Sequence, residues 1–168
     1  MMIFIPQRHL SFIFFLVLTL GVTACKTEGT ESSSSHLKSY PTKTLVLGDQ
    51  KVKVFIANTD ARQRKGLSTI KSEDFPGDWG MLFPEESMRL RQFWMPETYF
   101  DLDVIFMNDD YYVLDIHRKL KHYPKKGGRR GVDVPLSKEV FSQHILEVRS
   151  DSPISAKIKP GITLKFID

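Results

Sequence analysis

The feature that most constrains the fold is the stretch at residues 80–107, GMLFPEESMRLRQFWMPETYFDLDVIFM. Its apolar residues fall in short runs that prolines, charged residues and polar residues interrupt. Such runs are too short for the apolar stripe of a long amphipathic helix, whereas buried strands of a few residues accommodate them. The stretch therefore predicts three core strands, at residues 79–83, 90–95 and 102–107.

The flanking segments extend this pattern. Residues 51–54 alternate lysine and valine after the turn residues Gly48 and Asp49, which predicts a hairpin of strands at 42–48 and 51–57. Further strands are predicted at 111–119, 144–148 and 162–167. Short helices are predicted at 58–65, where Asn58 or Thr59 can cap the start and Gly66 can end the helix, and from Pro153 to residue 159. The fold class is thus mainly β, a compact sandwich or half-closed barrel of about seven to eight strands with two short helices.

Composition and charge exclude some classes of protein. With 168 residues, of which 41% are hydrophobic and 26% charged, the chain has the make-up of one globular domain. A net charge of +4 is too small an excess to indicate nucleic-acid binding, and we expect none. The single cysteine, Cys25, excludes an internal disulfide.

An uncharged run of 13 residues, LSFIFFLVLTLGV, follows Arg8 near the N terminus. It suits the core of a signal peptide and is shorter than the roughly 20 residues of a spanning helix. The four residues that end at Cys25, Val-Thr-Ala-Cys, resemble the lipobox of bacterial lipoproteins. In that family the thiol receives diacylglycerol, the signal is cut before the cysteine, and the new amino group is acylated. The resemblance implies lipid on Cys25 and a signal peptide at residues 1–24; cleavage without lipidation and an uncleaved anchor helix are the alternatives.

Residues 25–40 are predicted to be a flexible, lipid-anchored linker, because a polar segment with a serine run at 32–35 has little to bury. The folded domain is accordingly assigned to residues 41–168. In Gram-negative lipoproteins, an Asp directly after the lipidated cysteine resembles an inner-membrane retention signal. This chain has Lys26 at that position. We therefore expect an exported protein, lipid-anchored to the bacterial cell envelope, on the periplasmic side of the outer membrane if the organism is Gram-negative.

Six pieces of sequence in a fixed order resemble the domain of unknown function 192 family. They are Gly-Leu at 66–67, Gly-Met-Leu-Phe at 80–83, Phe-Trp-Met at 93–95, Leu-Asp-Val-Ile-Phe at 102–106, Leu-Glu-Val at 146–148 and Ile-Lys-Pro-Gly at 158–161. The resemblance covers about residues 51–168 and implies a compact, mainly β fold, often secreted, without an established activity. The chain departs from the family pattern at Pro96-Glu97, Asp101 and Arg149-Ser150. These departures imply that a shared ligand site is altered here or is only structural.

Two acids, Asp103 and Glu147, are each flanked by apolar residues within predicted core strands. A buried carboxylate costs free energy unless it is paired or hydrogen-bonded. Each acid therefore faces solvent, ties down a loop, or belongs to a functional pair that could act as general acid and base. With Met81, Trp94 and Thr98 the two acids make up the candidate pocket.

Other charged clusters offer weaker sites. The acids around 101–103 and 108–110 lack the spacing of a calcium loop, and His117 and His122 have no third ligand nearby. We expect no metal and no cofactor. A basic loop could contact anionic head groups or an anionic envelope polymer, the alternative being a solvated loop. Its cations are Lys119, Lys121, Lys125, Lys126, Arg129 and Arg130.

The expected function is that of a membrane-anchored lipoprotein whose domain is a non-enzymatic ligand- or envelope-binding module, with a pocket around Trp94 and Asp103. The alternative is a small envelope hydrolase that uses Asp103 and Glu147 as paired carboxylates. A purely structural interaction protein is the third reading. The position of the two carboxyls discriminates, because paired-carboxylate hydrolases hold them within about 10 Å in one cleft.

Overall fold

The computed structural model describes residues 35–168. This part of the chain contains one α-helix, α1 (Asp60–Lys65), and 3₁₀ turns at Ser35–Ser39, Ser72–Asp74 and Ser155–Lys157. Its strands are β1 (Thr42–Leu47), β2 (Gln50–Ile56), β3 (Trp79–Phe83), β4 (Arg89–Arg91), β5 (Leu102–Met107), β6 (Val113–Leu120), β7 (Val140–Ser142), β8 (His144–Arg149) and β9 (Lys165–Ile167).

Seven of the strands form one mixed sheet in the order β6-β5-β8-β3-β2-β1-β9, and β4 pairs with β7 in a separate two-stranded sheet. Within the large sheet, β2 and β3 are parallel and the other neighbouring pairs are antiparallel. The prediction of a mainly β fold is confirmed. The layout is that of a sandwich and not of a closed barrel, with nine strands rather than seven or eight.

Both faces of the large sheet are buried at its central strands. Strand β5 is buried along its whole length. Its alternate residues Val104 and Phe106 belong to one hydrophobic core, whereas Ile105 and Met107 belong to a second core. A strand that is covered on both sides has no polar face, which explains why β5 reads as a continuous apolar run. An acid on β5, or on β8 between His144 and Val148, therefore lies in one of the two cores.

Helix α1 forms where its capping residues predict it. The backbone N–H of Arg62 donates to Thr59 Oγ1 at 3.3 Å, and the N–H of Gly66 donates to Arg62 O at 2.8 Å. Gly66 has a φ of +47°, a conformation that glycine adopts without a Cβ clash. The helix thus ends at Lys65, and Leu67 just beyond it packs into the first core. No helix in the described part of the chain is long and apolar enough to cross a membrane.

The packed structure begins earlier than residue 41. Leu37 and Tyr40 are buried in the first core, because the 3₁₀ turn at Ser35–Ser39 folds back onto the domain. The last residues of the predicted linker therefore belong to the domain. The predicted signal peptide, Cys25 and the rest of the linker up to residue 34 lie outside the described residues.

Three other segments differ from their predictions. The strand predicted at 90–95 ends at Arg91, and Trp94 beyond it forms only an isolated bridge with Leu136. The helix predicted from Pro153 is a single 3₁₀ turn, since Pro160 leaves it no room to continue. The closing strand is reduced to β9, and β7 has no counterpart among the predicted strands.

Candidate functional site

Both carboxyl oxygens of Asp103, on β5, accept hydrogen bonds. Its side chain is 2% exposed, and its Oδ2 accepts hydrogen bonds from Arg118 Nη1 at 2.7 Å and from the Ser155 hydroxyl. Its Oδ1 accepts from the backbone N–H of Lys119 at 2.7 Å. Arg118 also donates to the carbonyl oxygens of Ser155 and Ile158. Asp103 therefore ties β5, β6 and the 3₁₀ turn at Ser155–Lys157 together.

Glu147 on β8 has the opposite surroundings. It is 4% exposed, and its carboxyl makes no hydrogen bond or ion pair with any residue in 35–168. Burial away from water disfavours the charged form and raises the pKa of Glu147 to about 8. At neutral pH this carboxyl is mostly protonated, so it can both donate and accept a hydrogen bond.

The two acids lie on opposite faces of the sheet. Across the β5–β8 pair, Asp103 is in register with Val148, and Val104 is in register with Glu147. Residues in register share a face, whereas successive residues of a strand alternate. The carboxyls of Asp103 and Glu147 therefore point into different cores. The paired-carboxylate hydrolase and the pocket shared by Trp94 and Asp103 are both wrong on this geometry.

Glu147 lines a cavity of about 50 Å³ in the first core. Its walls are the end of α1 with Gly66, the aromatic rings of Phe83, Phe93 and Trp94, and the side chains Met95, Thr98 and Leu102. A water needs about 10–15 Å³ of such space, so the cavity has room for a few waters or for one polar end of a larger molecule. We call it the Glu147 cavity.

Trp94 and Thr98 have distinct roles in this wall. Trp94 is 43% exposed and stands at the surface. Thr98 is buried, and its hydroxyl donates to Met95 O at 2.9 Å and accepts from the N–H of Tyr123 at 3.2 Å. Met81 is in register with Glu147 on the neighbouring strand but belongs to the core and does not line the cavity. The structure thus brings together Trp94, Thr98 and Glu147 of the five candidate residues.

A wider groove of about 370 Å³ adjoins the Glu147 cavity. The two share the lining residues Gln63, Arg64, Phe83, Phe93 and Trp94. Arg89, Arg91 and Arg130 line only the groove. We call this feature the arginine groove, after Arg64, Arg89, Arg91 and Arg130. Sequence reasoning missed it because the four residues come from a helix, a strand and a distant loop, and no motif connects them.

Comparison with known proteins identifies the family. The sequence model of DUF192, described as an "Uncharacterized ACR", matches residues 43–166. The chain belongs to the DUF192 family. The comparison with curated proteins gives no match.

Two solved structures share the fold of this DUF192 domain. A "putative transcription regulator" from Sinorhizobium meliloti 1021 is 22% identical with a TM-score of 0.57, and the match covers 76% of this chain and 95% of that one. A protein of unknown function from Novosphingobium aromaticivorans DSM 12444 is 24% identical with a TM-score of 0.55, covering 75% and 84%. At these identities the likeness shows the fold alone.

The departures from the family pattern fall in two places of the DUF192 domain. Pro96 lines the Glu147 cavity. Asp101, Arg149 and Ser150 line a different shallow cavity, where Asp101 Oδ2 lies 2.7 Å from Lys121 Nζ. Arg149 binds Asp151 and the carbonyl of Ser72 there. Most of the altered residues are thus engaged away from Glu147.

Several residues of the remaining charged clusters of the DUF192 domain are held by internal contacts. Asn108 Oδ1 accepts from the N–H groups of Asp110 and Tyr112, so the Asn-Asp-Asp segment is a turn. In the basic loop, Lys121 pairs with Asp101 and Arg129 with Asp133. Within residues 35–168, no three His, Cys, Asp or Glu side chains are grouped so as to hold a metal ion.

Proposed function

We propose that this DUF192 protein is an exported lipoprotein, held at the cell envelope by lipid on Cys25, whose domain binds a small ligand in the Glu147 cavity. The binding is not followed by chemistry. Export and anchoring are supported by the signal-like run at 10–22 and by the lipobox-like residues that end at Cys25. An outer-membrane location, if the organism is Gram-negative, is supported by Lys26.

The observation that carries the binding proposal is Glu147. Buried polar groups in folded proteins are almost always hydrogen-bonded, and one that is not calls for an explanation such as an absent ligand or water. Here the unpaired carboxyl faces a cavity walled by aromatic rings. Ligand sites have this make-up, with mostly apolar walls and a few polar groups that fix the orientation of the ligand.

Binding is favoured over hydrolysis because Glu147 acts alone. The second acid that the hydrolase hypothesis needs, Asp103, faces the other core and is occupied by Arg118 and Ser155. The residues that line the Glu147 cavity include no histidine and no cysteine, and the ammonium of Lys65, which does line it, donates to Thr69 Oγ1 at 2.9 Å. A general acid–base pair or an activated nucleophile would need such a second group within hydrogen-bond reach.

Contact between the basic loop and anionic head groups or an anionic envelope polymer remains part of the proposal. Lys119, Lys125 and Lys126 are exposed and belong to no ion pair within residues 35–168. Each cation near an anionic membrane surface contributes about 1 kcal/mol. Such contacts would be secondary to lipid anchoring, since two or more acyl chains suffice for stable attachment.

The binding proposal is tested by a thermal-shift screen of small polar metabolites against the purified protein. A ligand of the folded state raises the melting temperature. We expect at least one compound to do so for the wild type and to lose its effect in Glu147→Leu. Asp115→Asn is the matched control, because Asp115 is an acid on β6 whose ion pair with Lys138 is partly exposed. Shifts that persist unchanged in Glu147→Leu would refute the Glu147 cavity as the site.

The anchoring proposal is tested by cell fractionation and by labelling with a fatty-acid analogue. Cys25→Ala is expected to lose the label and to leave the membrane fraction, whereas Lys26→Ala keeps both. A Cys25→Ala protein that remains labelled would show that the lipid is elsewhere or that another segment anchors the chain.

A further inference from the structure

We infer that the ligand is a hydroxyl-bearing organic anion, whose hydroxyl end enters the Glu147 cavity while its phosphate or carboxylate binds in the arginine groove. This inference rests on the proposed function and names the chemical class of its ligand. It follows from the different chemistry of two neighbouring depressions, the Glu147 cavity and the arginine groove, which share five lining residues.

The outer end is strongly basic. Four arginines line the arginine groove, and Glu139 is the one acid among its lining residues. Guanidinium groups bind carboxylates and phosphates through paired hydrogen bonds. A concave surface with one sign of charge also concentrates ligands of the opposite sign. An ammonium ligand would meet these four cations at the entrance, so the charge of the groove favours an anion.

The arginines are incompletely neutralised by the protein. Glu85 serves two of them, with its Oε1 at 2.5 Å from Arg89 and 3.5 Å from Arg91. Arg91 is buried in the groove, and its guanidinium lies 5.4 Å from the centre of the Phe93 ring. Burial lowers the pKa of Arg91 to about 10, which leaves it charged at neutral pH. One carboxylate for two guanidinium groups leaves positive charge at the floor.

The other two arginines are weakly engaged. Arg64 lies 3.9 Å from Asp60 in an exposed pair. Arg130 reaches Gln92 Oε1 at 3.4 Å and makes no ion pair within residues 35–168. Exposed pairs of this kind contribute little and are readily exchanged for a ligand. Of the six cations in the basic loop, Arg130 is thus the one that lines this groove.

The inner end suits a hydroxyl group. The protonated carboxyl of Glu147 offers one donor and one acceptor, and a hydroxyl offers the same complement. The small volume of the cavity admits only part of a molecule. Trp94 belongs to both depressions, so a ligand that spans them passes over its ring. Aromatic walls with a few polar groups are typical of sites for such small molecules.

Titration calorimetry on the purified protein tests the inference with four probes: glucose 1-phosphate, glucuronate, glucose and inorganic phosphate. We expect the two hydroxyl-bearing anions to bind at least about tenfold more tightly than glucose or inorganic phosphate, because only they fill both ends. Their binding should weaken as salt is added, since mobile ions screen the exposed arginines.

Matched variants locate the two ends. Arg64→Gln and Arg130→Gln should each weaken binding of the anions about threefold, the order expected for an exposed charge contact. Lys126→Gln removes the same charge from the same loop outside the groove and should leave binding unchanged. At the inner end, Glu147→Leu should weaken binding at least tenfold more than Glu147→Gln, because glutamine also donates and accepts.

The results separate the two claims. If glucose binds as tightly as the anions, or if neither arginine variant differs from Lys126→Gln, the inference is overturned. The proposed function still stands in that case, provided that Glu147→Leu abolishes binding. If none of the four probes binds, the ligand class is also wrong. If compounds bind and Glu147→Leu has no effect, the proposed function itself fails.

Discussion

Asp103 and Glu147 are equally buried and lie one residue apart in register on neighbouring strands, yet their surroundings are opposite. Asp103 accepts hydrogen bonds from Arg118, Ser155 and a backbone N–H, whereas Glu147 faces a cavity with aromatic walls. Strand alternation alone causes this difference, since it sends one acid to each core. The comparison shows that burial alone does not distinguish a structural carboxylate from a functional one. The hydrogen-bond partners of the carboxylate make that distinction.

The sharpest test of the contrast is the replacement Glu147→Gln. The carboxyl ionises near pH 4.5 in the unfolded chain and near pH 8 in the folded one. Between these values folding takes up a proton at Glu147, so the contribution of Glu147 to stability falls as the pH rises through this window and is lowest above about pH 8. Glutamine has no such linkage. The variant should equal the wild type near pH 4.5 and exceed it by on the order of 4 kcal/mol at pH 8.

Urea denaturation at several pH values between 4.5 and 8 measures this difference. Other titrating groups are common to both proteins and cancel when the two free energies of unfolding are subtracted. A difference that does not grow with pH would mean that Glu147 is charged and stabilised by a group not seen in residues 35–168. The contrast with Asp103 would then disappear.

The second prediction concerns Asp103→Asn, which should destabilise the protein. The change leaves the Arg118 guanidinium without its anion. Removing one member of a fully buried ion pair costs about 3–5 kcal/mol. Because the Arg118 side chain is 39% exposed, we expect a smaller loss of about 2–3 kcal/mol in the free energy of unfolding.

Two companion variants sharpen that result. Asp115→Asn, at the partly exposed pair with Lys138, should cost less than about 1 kcal/mol. Combining Asp103→Asn with Arg118→Met removes both charges and should recover part of the lost stability. An Asp103→Asn protein as stable as the wild type, with a ligand response that is lost, would show that Asp103 is the binding acid instead.

The sequence was sufficient to predict most of the fold. The short apolar runs predicted β3 and β5, the alternation at 51–54 predicted β2, and Thr59 with Gly66 bounded α1. Those signals are local, since each depends on the spacing of neighbouring residues. The strand predicted at 90–95 was too long. Phe93, Trp94 and Met95 are apolar, but they line the Glu147 cavity and do not continue the strand.

The candidate site was only partly predictable, for a physical reason. A buried acid between apolar neighbours is visible in the sequence, and both acids were found that way. Which core each one enters depends on the pairing of β5 with β8, a long-range register that no local pattern encodes. The arginine groove depends on contacts between residues as distant as Arg64 and Arg130. Sites of this kind become apparent only when the chain is folded.

The smallest predicted effect concerns Thr98, which holds the wall of the Glu147 cavity by two hydrogen bonds. Thr98→Val keeps the shape of the side chain but leaves Met95 O without a donor and the N–H of Tyr123 without that acceptor. An unsatisfied buried group costs about 1–3 kcal/mol, and we expect a loss near the lower end because the N–H of Thr98 still binds Tyr123 O. Thr98→Ser keeps the hydroxyl and should lose less stability.

Thr98→Val loosens the wall of the Glu147 cavity without changing the carboxyl. It should therefore weaken ligand binding, while the pH-dependent contribution of Glu147 to stability persists. If the stability difference between Glu147→Gln and its Glu147 parent no longer grew towards pH 8 in the Thr98→Val background, Glu147 would be kept protonated by this hydroxyl network and not by burial.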